Sequence, residues 1–121
     1  MNAATGKHSD RGLDRATLVL LRESVSAMDA AVATDSAKIK TEAEAAEERI
    51  VTLRDHLIEH LRQDVAGKAA TLRPLLDQVN MALSLIVSIE YPAGGIHREA
   101  LTEAREVLSG SLARVTARAP V

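Results

Sequence analysis

A chain of 121 residues has room for one domain, and at that size roughly two thirds of the unfolded surface is buried on folding. Fifteen basic against seventeen acidic residues leave a net charge of −2, both signs are mixed along the chain, and there is one Tyr with no Phe or Trp; a nucleic-acid interface, with its basic stripe and stacking aromatics, is therefore not expected. The absence of cysteine excludes disulfides, thiolate metal sites and cysteine nucleophiles.

Residues 1–12 (MNAATGKHSDRG) are polar, broken by Gly6 and Gly12, and carry no apolar run of the kind a secretory signal needs. They are expected to form a flexible arm on a cytoplasmic protein. From Leu13 to Ala66 there is neither glycine nor proline in 54 residues; all six glycines and all three prolines lie elsewhere. Within that stretch apolar residues recur three and four apart, at Leu18, Leu21, Val25, Met28 and Val32, then at Ile39, Ala43, Ala46, Ile50, Leu53, Leu57 and Leu61. This is the period of one helix face.

The stripe is interrupted at Thr34, Asp35 and Ser36, and two architectures follow. A helix running through the gap is a rod about 80 Å long at about 1.5 Å per residue, with a seam that demands a partner copy. A helix capped anew by Asp35 or Ser36 folds back instead, and the chain becomes a compact four-helix bundle. The lack of Gly or Pro at so tight a reversal favours the continuous helix.

Gly67 is a natural stop, Thr71 a candidate cap, and Pro74 fits the first turn of a second helix. That helix is apolar nearly all round, with Leu72, Leu75, Leu76, Val79, Leu83, Ile86 and Val87 on one side and Met81, Leu85 and Ile89 on another. Such a pattern predicts a central position. Its richest run, Met81 to Ile89, is far shorter than the ~20 residues that cross a bilayer, so no membrane insertion is expected. Tyr91-Pro92 with Ala93-Gly94-Gly95 marks a turn. A last helix from Ile96 carries Leu101, Ala104, Leu108, Leu112 and Val115 on one face and forms an antiparallel hairpin with the second; residues 118–121 are a tail. The expected fold is all-α: an elongated helical bundle or antiparallel coiled coil over residues 13–117, one long N-terminal helix followed by a helical hairpin, with the compact four-helix bundle as the alternative.

Few residues suggest chemistry. His56 and His60 stand four apart with Glu59 between them, and the string HLIEH resembles the H-x-x-E-H motif of the inverted zinc peptidases. Two imidazoles so spaced share one side of a helix and can grip a metal. The resemblance covers five residues and implies His56, His60 and Glu59 as candidate metal-site residues; against the stripe of Leu53, Leu57 and Leu61, the histidines lie on its flank, where solvated or boundary positions are common. The Glu-x-x-His pairs of a di-iron bundle are absent, since Leu53, Leu57 and Gly94 precede His56, His60 and His97 by three.

The run Ala70-Thr71-Leu72-Arg73-Pro74-Leu75 resembles the dimerisation helix of sensor kinases, where a phospho-accepting histidine precedes Leu-Arg-x-Pro-Leu. Here alanine or threonine stands in the histidine's place and one residue is missing, so the resemblance implies a degenerate phosphotransfer-type bundle that accepts no phosphate. Asn80, within the most apolar helix, either fixes register as a buried amide or sits at a boundary. The acidic cluster Glu42, Glu44, Glu47 and Glu48 reads as a solvated helix face. No serine has a histidine placed by sequence to activate it.

These observations describe a non-enzymatic protein-interaction module, a scaffold, adaptor or regulatory subunit, without cofactor. It is expected to associate with itself or another protein along the 18–61 seam and the 81–89 surface, through Val25, Met28, Val32, Ile39, Ile50 and Leu57. The alternatives are a metal- or cofactor-binding bundle using His56 and His60, and the degenerate signalling bundle.

Overall fold

The computed structural model describes residues 14–35, 37–63, 69–87 and 96–117. They form four helices and no strand: α1 (Arg15–Ala33), α2 (Ile39–Arg62), α3 (Ala69–Val87) and α4 (Ile96–Ala117). The arm at 1–12, the stop at Gly67, the turn at 91–95 and the tail at 118–121 lie outside the described residues.

The single long helix expected across residues 18–61 is two helices. α1 ends at Thr34, whose backbone turns extended (φ −75°, ψ 163°) while its N–H still reaches Ala30 O. Asp35 then closes a turn: the Lys38 N–H donates to both the backbone carbonyl of Asp35 at 3.1 Å and its side-chain Oδ1 at 3.2 Å. An aspartate side chain rather than a glycine anchors this turn, which is why the absence of Gly and Pro points wrongly to a continuous helix. α4 completes the break. The guanidinium of Arg98 donates to Val32 O and, at 2.8 Å, to Thr34 O, satisfying carbonyls that the end of α1 leaves without a helical partner.

The helices form a ring, α1 packing on α2 and α4, and α3 on α2 and α4. Neighbours run antiparallel. Asp14, Thr17 and Glu23 of α1 meet His60, His56 and Arg49 of α2 in descending order, and the first turns of α3 share a groove with the last turns of α4. α3 is thus one member of the ring rather than its centre: Met81 is 49% and Val87 64% exposed.

Each helix buries a seam with alternating steps of three and four. In α2 it is Ile39, Ala43, Ala46, Ile50, Leu53 and Leu57, as the pattern predicts; in α3 it is Leu72, Leu75, Val79, Ala82 and Ile86. In α1 the seam is Thr17, Leu21, Ser24, Met28 and Ala31, one notch from the expected stripe, with Leu18, Val25 and Val32 half-buried beside it. Two hydroxyls therefore sit in the interior, and both are bonded: Ser24 Oγ donates to Leu20 O at 2.9 Å, and Thr17 Oγ1 lies 2.7 Å from His56 Nε2. A hydropathy pattern skips such positions because it scores the hydroxyl and not its partner.

Thr71 is not a cap. α3 already runs from Ala69, and Pro74 is its sixth residue; the hydrogen bond it forgoes would have gone to the carbonyl of Ala70, which is exposed along with Pro74, so water can serve that carbonyl. Among the described residues, no helix is long and apolar enough to cross a membrane.

Candidate functional site

The described residues hold one cluster in which three metal-ligating side chains converge: Asp14, His56 and His60, each offering one ligand atom within 4.8 Å of the others. The cluster exists because the chain reverses at residues 34–38. Asp14 is the N-cap of α1, and its Oδ1 accepts the N–H of Thr17 at 2.8 Å. This is the ordinary use of an aspartate before a helix. On α2, the four-residue spacing stacks the two imidazoles one turn apart, with ring centroids 4.1 Å apart and planes tilted by 42°. Antiparallel packing sets Asp14 beside this pair.

Three contacts fix the side chains. His60 Nδ1 lies 3.1 Å from His56 O, and since a carbonyl only accepts, Nδ1 carries the proton. His60 Nε2 then faces Asp14 Oδ2 at 3.3 Å. Thr17 Oγ1, at 2.7 Å from His56 Nε2, holds the second ring from below. Asp14 and His60 are 46% and 28% exposed, so solvent reaches the cluster, whereas Thr17 is 1% exposed.

Burial alone would raise the Asp14 carboxyl, but hydrogen bonding from Thr17 and the nearby charges of His60 and His56 outweigh it and hold it below its ordinary value. His56 also titrates below its ordinary value. Burial is the main cause, repulsion from His60 adds to it, and Asp14 opposes both.

Of the three residues picked out in the sequence, His56 and His60 are in the cluster and Glu59 is not. Glu59 is exposed on another side of α2, where its carboxylate takes Arg62 at 3.3 Å and Gln63 at 3.2 Å. The carboxylate that joins the histidines is Asp14, on α1. Its residue type before a helix was visible in sequence, but its place opposite His60 depends on the turn.

Thr17 and His56 make the hydroxyl-to-base contact of nucleophilic catalysis, yet Thr17 is shut off from solvent and Asp14 faces His60 instead of His56. A groove of about 390 Å³ between α3 and α4 holds Asp77, Gln78, Ser111 and Arg114; Ser111 Oγ donates to Val107 O and accepts from Arg114, so nothing there activates it. The acidic cluster is spread over exposed and half-exposed positions of α2.

The six interface candidates sit in or beside the chain's own core. Met28, Ile39, Ile50 and Leu57 are at most 3% exposed in the chain's own core, and Val25 and Val32 pack against it. The exposed large hydrophobics among the described residues are Val19 of α1, Ile58 of α2, and Met81 and Val87 of α3, so the outer face of α3 holds the two most exposed. From Gln78 to Val87 it carries no charged residue, and Asn80, Met81, Ser84 and Val87 are exposed along it. Asn80 is thus not a buried amide. By contrast, exposed charges recur along α1 (Arg15, Arg22, Glu23, Asp29), α2 (Lys40, Glu44, Glu48, Arg49, Asp55, Glu59, Arg62) and α4 (Glu99, Glu103, Glu106, Arg114).

No family model matches this chain, and neither a curated protein nor a solved structure matches it.

Proposed function

We propose that this protein is a non-enzymatic, cytoplasmic interaction module whose compact four-helix ring presents the outer face of α3 to a second copy of itself. The observation that carries this reading is the uncharged run from Gln78 to Val87, with Met81 and Val87 exposed at 49% and 64%. Elsewhere the surface is charged along every helix, which keeps it soluble and disfavours close packing against an identical face. A neutral face meets its own copy about a two-fold axis without like charges opposing one another, and burying two half-exposed aliphatic side chains from each copy supplies the attraction.

Light scattering over a concentration series tests this. The expected result is a mass that rises from 12.9 kDa toward twice that value with concentration, and a double variant Met81→Glu, Val87→Glu that stays monomeric. Because both positions are exposed, the variant's unfolding free energy is expected to change by under about 0.5 kcal/mol per site. A wild-type protein that is monomeric at every concentration, or a double variant that still dimerises, refutes the reading.

A further inference from the structure

We propose that Asp14, His56 and His60 bind one divalent transition-metal ion of the zinc class. Two ligand atoms each ~2.1 Å from a tetrahedral ion stand roughly 3.4 Å apart; His60 Nε2 and Asp14 Oδ2 are 3.3 Å apart. With the Nδ1 proton given to His56 O, a neutral His60 turns a lone pair toward a carboxylate that is itself only an acceptor. Something positive belongs between them, either a second proton on the ring or a cation.

The surroundings favour the cation. A backbone carbonyl that takes the far N–H of an imidazole is the usual device for aiming the other nitrogen at a metal, and His60 has it. The His56 ring lies 4.1 Å from that of His60, where a second imidazolium would be repelled but a second neutral ligand is welcome. Asp14 divides its work, with Oδ1 on the Thr17 N–H and Oδ2 toward His60, so ligation does not cost α1 its cap. The third ligand atom, from His56, is within 4.8 Å of the other two, and a tetrahedral ion would draw it closer. Partial exposure of Asp14 and His60 gives the ion a way in and leaves a position for water, the pattern of three protein ligands plus one open site.

Two imidazole nitrogens and one carboxylate select ions such as Zn²⁺, Co²⁺ or Ni²⁺. Mg²⁺ and Ca²⁺, which take oxygen ligands, are not expected to compete. The bound ion would tie the first residue of the hairpin to its last turn, 46 positions later, and so fasten the open end of α1 and α2.

The test is titration calorimetry of the full chain, stripped with chelator, using Zn²⁺ alone as ligand, with Co²⁺ absorption as a second readout. One Zn²⁺ per chain is expected, with a melting temperature that rises with zinc concentration. Asp14→Asn keeps an N-capping side chain, so it folds with unchanged helicity while its zinc affinity falls at least about tenfold; His56→Ala and His60→Ala are expected to lose as much. Glu59→Gln and a double His8→Ala, His97→Ala variant bind as the wild type does. The proposal is overturned if the wild type binds no zinc, if Asp14→Asn or His60→Ala binds it unchanged, or if Glu59→Gln or the His8/His97 pair abolishes it.

Discussion

Replacing Arg98 by alanine tests how the bundle closes. Arg98 is the third residue of α4, where the helix dipole disfavours a cation by about 0.3–1 kcal/mol, and it is half-buried. It is there to reach α1, donating to Val32 O and Thr34 O at the end of that helix. Hydrogen bonds from a charged donor contribute about 1.5–3 kcal/mol each. Val32 and Thr34 are themselves only half-buried, so water can partly replace the lost donor and the lower figure applies to each bond. Two such bonds, less the relief of the unfavourable dipole interaction, give a net loss of about 2 kcal/mol for Arg98→Ala. For a domain of this size that corresponds to a melting temperature roughly 8 °C lower. Chemical denaturation followed by far-UV circular dichroism is the direct assay, with the midpoint falling and the slope unchanged. Arg98→Lys keeps the charge but replaces a planar fork with a single point, and is expected to lose about half as much. An Arg98→Ala protein within about 0.5 kcal/mol of wild type, the range of ordinary surface changes, refutes the pinning of α1 by α4. A lysine variant indistinguishable from wild type refutes the two-carbonyl grip.

Gly110 lies inside α4, and a methyl group added there would meet only the Arg114 guanidinium at 3.7 Å, an ordinary contact; Gly110→Ala is expected to stabilise the protein by about 0.5–1 kcal/mol, read as a higher melting temperature, and a decrease would contradict the regular helix there. In metal-free protein, both shifted groups of the cluster act in the same direction on acidification. The unfolded chain binds protons more readily than the folded one at Asp14 and at His56, since both folded values are lowered, so stability rises with pH across each transition. Melting temperature is therefore expected to begin falling as pH drops below the ordinary histidine value of 6.5 and to fall again toward the carboxylate range at 3.8; a His56→Gln variant should flatten the first decline, and an unchanged decline would remove His56 as its cause.

The parts of the fold that were legible in sequence are those where one helix records its own environment. The seam of α2 from Ile39 to Leu57 follows from spacing alone, because an apolar side chain every three or four residues has only one face to occupy; in α3 apolar residues run nearly all round, so spacing names Leu72, Leu75, Val79, Leu83 and Ile86 but also Val87, which is 64% exposed. In α1 the same reasoning slips, because Thr17 and Ser24 are buried with their hydroxyls bonded and the pattern moves to the flanking Leu18 and Val25. The reversal was misread for a related reason. Its signals are an Asp35 that bonds the Lys38 N–H and an Arg98 placed against its own helix dipole, and the second makes sense only beside a helix that ended 64 residues earlier. A residue that is locally unfavourable is often explained by a partner distant in sequence.

The histidine cluster depends on that same reversal. Sequence spacing places His56 and His60 on one side of a helix and goes no further, since the nearest carboxylate by sequence, Glu59, faces Arg62 and Gln63. In an unbroken helix Asp14 would stand roughly 63 Å from His56 at ~1.5 Å per residue, and no ion could join them. Zinc held jointly by Asp14, His56 and His60 within one chain would therefore require the turn at 34–38. A site that survives Asp14→Asn would leave only the two-histidine grip, which a straight rod could offer equally well, so the Asp14 variant bears on the fold as well as on the metal.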